Sequence, residues 1–202
     1  MNKVGPLYTS MIAFFEEDDW SFHPMEDIPV LSMSFTGKSG KWMCYAQARE
    51  EQQQFVFYSI CPMNVPEERR LHTSEFITRA NYGMIIGNFE MDYVDGEVRY
   101  KTSIDVEGDD LSFALIKQMV YANVIIMDRY LPGLMQVIFG SSSPLEVIQN
   151  IEVELADRSS DSPEHKGGAE DDDYNFKFSL DDIDFSDLDR DAPEDDEPNT
   201  PV

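Results

Sequence analysis

The hydrophobic pattern changes period several times along the chain, and each change marks an element. Pro6 to Glu17 reads as a helix: Pro6 suits a first turn, and Leu7, Met11, Phe14 and Phe15 fall on one helical stripe. Extended structure begins at Trp20-Ser21-Phe22. Val30 to Thr36 then alternates, with Leu31, Met33 and Phe35 on one side and Ser32 and Ser34 on the other. Gly37-Lys38-Ser39-Gly40 reads as a turn. Lys41 to Arg49 and Gln54 to Ile60 read as two further strands, joined by the polar loop Glu50–Gln53. Pro62 and Pro66 open a helix through Tyr82, with Leu71, Phe76, Ile77 and Ala80 as its expected buried side and Gly83 as its stop. Met84 to Tyr93 and Glu97 to Asp105 form a hairpin across Asp95-Gly96. Asp109-Asp110 is the expected cap of a long apolar helix, which Pro132-Gly133 should kink or break. Ser143 caps a last helix from Pro144.

The order α-β-β-β-β-α-β-β-α-α, with neighbouring strands joined by hairpins, predicts an α+β fold: an antiparallel sheet with helices packed on it. The middle strands are apolar on both faces. Trp42, Cys44, Ala46 and Ala48 point one way and Met43 and Tyr45 the other. Phe55 and Phe57 oppose Val56, Tyr58 and Ile60 in the same manner. Two-faced strands are usually covered twice. Either the helices wrap round the sheet, or the second face meets a second copy of the chain or a partner.

Charge divides the chain. Residues 155–202 hold 17 acids and 4 bases, a net of -13, and the remaining 23 acids and 11 bases give -12 over residues 1–154. Residues 1–154 are therefore read as the folded domain and 155–202 as a disordered acidic tail, too polar to bury the apolar surface that ordering requires. Within that tail Tyr174, Phe176 and Phe178 alternate with polar residues, and Phe185 follows among aspartates. Acid interleaved with aromatics is a composition that docks on a partner, and the alternating stretch could also add a strand to a sheet edge. A net charge of -25 disfavours nucleic acid and anionic lipid. The absence of an apolar leader near Lys3, of a run long enough to span a bilayer and of a cysteine framework points to the cytoplasm.

Chemistry is sparse. His23, His72 and His165 lack metal-ligand spacing. If the strand hairpin turns near Glu51-Gln52, Cys44 faces Ser59 and lies diagonal to Cys61, about 7–8 Å away, so two buried thiols are expected. Gly83-Met84-Ile85-Ile86-Gly87 lacks the lysine and hydroxyl of a phosphate loop, with Gly83 read as a helix stop and Gly87 as a strand residue. The run Asp181-Asp182-Ile183-Asp184 lacks the glycine and terminal glutamate of a calcium loop. Asn123, inside an apolar helix, needs a partner, expected to be backbone or a neighbouring side chain. Asp128-Arg129 beside the proline is expected to satisfy carbonyls freed by a kink, or to line an interface.

Three stretches resemble the YbjN family: Trp42-Met43-Cys44-Tyr45-Ala46 through Phe57-Tyr58; Phe76-Ile77-Thr78-Arg79-Ala80-Asn81-Tyr82-Gly83 through Glu90; and Val98-Arg99-Tyr100-Lys101-Thr102 through Tyr121-Ala122-Asn123 and Met127-Asp128-Arg129-Tyr130. The likeness runs from about Leu7 to Ile151 and looks cyanobacterial. It implies a twisted antiparallel sheet similar to type III secretion chaperones, often dimeric, without catalytic residues or cofactor, and a regulatory or chaperone-like role. Together these readings predict a non-enzymatic protein-binding regulator acting as a homodimer. Trp42, Tyr45, Tyr58, Tyr174, Phe176, Phe178 and Phe185 are the candidate partner contacts. The alternative is a small-ligand sensor or enzyme with a pocket beside Trp42, Tyr45 and Tyr58.

Overall fold

The computed structural model describes residues 5–160, with side chains as far as Val153. Among these residues the elements are α1 (Pro6–Glu17), β1 (His23–Pro24), β2 (Val30–Thr36), β3 (Lys41–Arg49), β4 (Gln54–Ile60), α2 (Arg70–Tyr82), β5 (Asn88–Met91), β6 (Val98–Asp105), α3 (Phe113–Phe139) and α4 (Pro144–Ser160). The expected order holds. The strands form one antiparallel six-stranded sheet in the order β1-β2-β3-β4-β6-β5. Cys44 faces Ser59, as the hairpin register predicted.

The helices gather on one face of the sheet. The α1 side chain Phe15 stacks on Phe57 of β4, with ring centroids 6.2 Å apart. Thr102 of β6 donates its hydroxyl to the Met119 carbonyl of α3 at 2.9 Å. In α2, Phe76 meets Tyr130 of α3. The apolar core lies between this helical layer and the inward strand residues, among them Leu31, Met33, Phe35, Trp42, Cys44, Phe55, Phe57 and Tyr100.

Five local expectations change. Leu71 is 78% exposed, because α2 buries the stripe Thr73, Phe76, Ile77 and Ala80 instead. The strand expected from Met84 begins only at Asn88. Gly87 sits at φ +81, outside the strand, where a side chain would meet the Lys101 carbonyl. The cap of α3 is Ser112, whose hydroxyl accepts the Leu115 N–H at 3.3 Å, rather than Asp109-Asp110. Extended structure pairs only at His23–Pro24, and Trp20 turns into the core, stacked 5.6 Å from Phe35.

The proline does not break α3. A proline inside a helix is unfavourable by about 3 kcal/mol, yet Tyr130, Leu131, Leu134, Val137 and Ile138 are all buried around it. Burial of each such side chain stabilises by roughly 1.5–3 kcal/mol, so packing wins. Gly133 lets α4 close on α3: a Cβ there would come 2.8 Å from Val147 and Ile151. The end of α3 is held from outside. The Arg69 guanidinium donates to the carbonyls of Val137, Ile138 and Gly140. These are orphan acceptors of a helix C-terminus. Ser143 caps α4 as expected, and Glu146 completes a capping box: the Glu146 N–H donates to Ser143 Oγ at 3.2 Å and the Ser143 N–H to the Glu146 carboxylate at 3.0 Å. The domain boundary expected after Glu154 falls inside α4, and Tyr174, Phe176, Phe178, Phe185, His165 and the Asp181 run lie outside the described residues.

Candidate functional site: the open face of the sheet

A strand sends alternate residues to opposite faces, so the registers define what the helices leave uncovered. Three central rows run across the outer face: Ser34, Met43, Ile60, Arg99 and Glu90; Ser32, Tyr45, Tyr58, Lys101 and Asn88; and Val30, Gln47, Val56 and Ser103. Met43, Tyr45, Tyr58 and Ile60 are half-buried and lie outside the core cluster, whereas Val30 and Val56 on the same face are buried, though outside that cluster too. Tyr45 and Tyr58 form a directly opposed cross-strand pair. The second apolar face of the middle strands is therefore open, and the helices do not wrap round it.

The face is cationic in an acidic chain. Lys41, Arg49, Arg99 and Lys101 point outward from its strands, against Glu90 and Asp105: four bases less two acids leave +2. Arg99 and Lys101 both bind the single carboxylate of Glu90, Arg99 through Nη2 at 2.8 Å. Burial pushes the Glu90 pKa up. The hydrogen bonds and charges of Lys101 and Arg99 outweigh that and hold it below the usual carboxylate value. The Arg99 guanidinium also lies 4.7 Å from the Tyr58 ring centre, a cation–π contact. At the far end of the face, Arg49 donates to Gln54 Oε1 at 3.0 Å, and Gln54 donates to Asp105 at 3.1 Å.

Of the candidates read from sequence, Tyr45 and Tyr58 come together here. Trp42 does not join them. Its side chain points inward, 3% exposed, and its Nε1–H donates to Ser59 Oγ at 2.9 Å. No common pocket can be lined by Trp42, Tyr45 and Tyr58, because they occupy opposite faces. The cationic residues were not singled out from sequence, although the alternation of Arg99 and Lys101 against Tyr100 and Thr102 carried the signal.

The inner face is structural. The Cys44 sulfur lies 3.4 Å from Ser59 Oγ. Burial pushes the Cys44 thiol up to about 12 and the Cys61 thiol up to about 11, against small lowering effects from hydrogen bonds. Thiolate is the reactive species. Native protein is therefore expected to give no colour with a thiol-disulfide reagent at pH 8 within minutes, and two thiols per chain in denaturant. Rapid native labelling of either cysteine would contradict this burial. Asn123 bonds backbone, as expected: Nδ2 donates to the Phe57 carbonyl at 3.0 Å and the Tyr100 carbonyl at 3.1 Å. Asp128 is also structural, with a different target from the one expected. Its carboxylate accepts the backbone N–H groups of Lys38 and Ser39 at 3.1 and 2.7 Å, fixing the β2–β3 turn. His72 is exposed on α2, and His23 faces outward on the short edge strand β1.

Among the described residues no group of three or more His, Cys, Asp or Glu side chains could hold a metal ion. No described helix is long and apolar enough to cross a membrane. One surface groove, of about 580 Å³, lies on the helical side between α2 and α4 and is lined by Glu75, Arg79, Tyr82, Leu145 and Glu152 among others.

A six-stranded antiparallel sheet covered by helices on one side, with an aromatic and cationic face on the other, defines a one-sided α+β scaffold. The chain belongs to the YbjN family. That family's model, described as "Putative bacterial sensory transduction regulator", matches residues 9–135. Among solved structures the chain is similar to YbjN from E. coli, with 9% identity and a TM-score of 0.47 over 65% of this chain and 87% of that one. It is also similar to a chain of the HopA1-SchA chaperone-effector complex, with 15% identity and a TM-score of 0.41 over 61% of this chain and 92% of that one. No curated protein matches the chain.

Proposed function

We propose that this protein is a non-enzymatic, chaperone-like regulator of the cytoplasm that takes a protein client on the open face of its sheet. The observation that carries the reading is the outward cluster of Met43, Tyr45, Tyr58 and Ile60, set apart from the core and flanked by Arg99 and Lys101. Tyrosine and arginine are enriched among the residues that dominate binding energy at protein interfaces. The family's description as a regulator agrees with such a role. The chemistry of the face fits a client segment that carries aromatic or aliphatic side chains among acids. Gln47 lies on the outer face beside Val56, and a photo-crosslinking amino acid placed there leaves both tyrosines intact. Irradiation in native cytosol is expected to give discrete protein adducts from position 47 and none from exposed position 72 on α2. Equal adduct patterns from the two positions would sink the reading.

The chain acts as a homodimer in this proposal, paired through the groove between α2 and α4. Tyr82 is 96% exposed there beside Leu145, and Arg79 sits among Glu75 and Glu152. Mixed charge around an apolar centre is what a two-fold, self-complementary interface uses. Light scattering is expected to give twice the 23.2 kDa of one chain. Tyr82→Glu with Leu145→Glu is expected to halve that mass. A native monomer, or a variant that stays dimeric, would remove the dimer from the proposal.

A further inference from the structure

We propose that the open face has a resident occupant: residues Tyr174–Leu188 of the same chain, which close it to clients until displaced. The inference rests on the open face being the client site and concerns its regulation.

Charge singles out this segment. In a chain of net charge -25, the outward strand positions carry four bases and two acids. Arg99 and Lys101 share one carboxylate, so one positive charge beside Tyr58 is left without a strand counterion. The tail supplies the opposite sign: Tyr174–Leu188 contains Asp181, Asp182, Asp184 and Asp187 against Lys177 alone. Its apolar pattern fits the face as well. Tyr174, Phe176, Phe178 and Leu180 recur every second residue, so an extended segment would present all four on one side. That is a row of rings and an aliphatic group against the flat surface of Met43, Tyr45, Tyr58 and Ile60.

Reach permits the contact. Fourteen positions separate Ser160 from Tyr174, which span up to about 45–50 Å when extended. A domain of this size has a radius of gyration of about 15 Å. The route is also short. Helix α4 packs on α2, α2 packs on β5, and β5 is the sheet edge next to β6. A chain leaving α4 and rounding that edge passes Asn88 and Glu90 on β5 and then meets Lys101 and Arg99 on β6. Tethering over so few residues gives an effective concentration of roughly 1 mM. A contact as weak as about 100 μM would then be occupied about 90% of the time, and a client's apparent affinity would fall about tenfold.

The test uses the full chain with the photo-crosslinking residue at position 47, purified and irradiated alone. The expected adduct joins position 47 to a peptide within 174–188. It forms within single chains when isotopically heavy and light protein are mixed. It weakens when salt is raised from about 0.1 M to about 1 M, where the Debye length falls from ~10 to ~3 Å. Phe176→Ser, Phe178→Ser and Phe185→Ser together remove it, and in cytosol raise the client adduct about tenfold. The idea is overturned by adducts elsewhere, by none, by heavy–light adducts that show a second copy on the face, or by a triple variant that behaves as wild type. The two readings fail separately. Client adducts without a tail adduct leave the client site standing and remove its regulation. A tail adduct without client adducts in the triple variant leaves the tail in place and removes the client.

Discussion

Asn123→Asp is expected to lower the unfolding free energy by about 3–5 kcal/mol at neutral pH, the range for an uncompensated buried charge. Asn123 is fully buried in α3, and its Nδ2 group donates to the carbonyls of Phe57 on β4 and Tyr100 on β6, with Thr102 Oγ1 at 3.3 Å. One amide thus joins the long helix to the two central strands beneath it. A carboxylate at position 123 keeps the shape and loses both N–H donors, so like-charged oxygens face one another in the core. Burial and those carbonyls raise the new carboxyl's pKa above its unfolded value of about 3.9. The sign of the pH dependence follows. Below the unfolded value both states carry the proton, and the deficit is least. As pH rises past it, the unfolded state loses the proton first, and stability falls by up to ~1.4 kcal/mol per pH unit until the folded-state pKa is passed. Since a domain's whole stability is about 5–15 kcal/mol, urea curves at pH 4 and pH 8 should differ plainly for the variant, after correction for wild type. Equal deficits at both values would mean that the amide is not a buried donor.

The same residue shows how far the sequence can be read. A lone asparagine on an apolar helix announces a need for partners, and the expectation that it bonds backbone is met. Which carbonyls it serves depends on how α3 crosses β4 and β6, and that crossing is nonlocal. The strand registers were legible because a period of two is unforgiving: shifting β3 by one residue would put Lys41 and Arg49 into the core. The helix stripe of α2 was legible at Phe76, Ile77 and Ala80 but not at Leu71, which is as apolar as Phe76; only the position of the neighbouring helix decides that it stays uncovered. The Pro132-Gly133 pair does not break the helix, for a similar reason. Its local meaning is a break, and its tertiary meaning is a small surface against which Val147 and Ile151 pack. Asp128 belongs to the same class, because its target, the turn amides of Lys38 and Ser39, lies about ninety residues away in sequence.

The candidate site was half legible. Two-faced strands told that a second surface exists, and the choice between helices and an open face required the topology. Its cationic rim followed from the register of β6 against β4, which places Lys101 beside Tyr58 and Arg99 beside Ile60. Trp42 was grouped with Tyr45 and Tyr58 on composition, although its odd spacing from Tyr45 already put it on the other side.

Tyr45→Asp with Tyr58→Asp is expected to leave the fold intact and to weaken client binding about a hundredfold. The two rings lie opposite each other on the open face and outside the core cluster, so their replacement removes no core packing. Both rings are half-buried and outside the core, where substitutions usually cost little; the new carboxylates face each other as a like-charge pair but lie near Arg99 and Lys101. For an acidic, aromatic client the same change does two unfavourable things. It deletes the apolar anchors at the centre of the patch, and it converts a cationic surface into one that repels the incoming acids. Central tyrosines are worth about 2 kcal/mol or more each at interfaces, and every 1.4 kcal/mol is tenfold in affinity. Two anchors with partial non-additivity give the hundredfold figure. The measurement is recovery of the position-47 adducts in cytosol, calibrated by titrating extract, with circular dichroism and a urea curve to show that the variant folds. The companion change Arg99→Gln with Lys101→Gln should weaken binding less and flatten its dependence on salt, because it removes attraction without removing the anchors. Full recovery of adducts by the tyrosine pair variant, in a folded protein, would show that clients are held elsewhere.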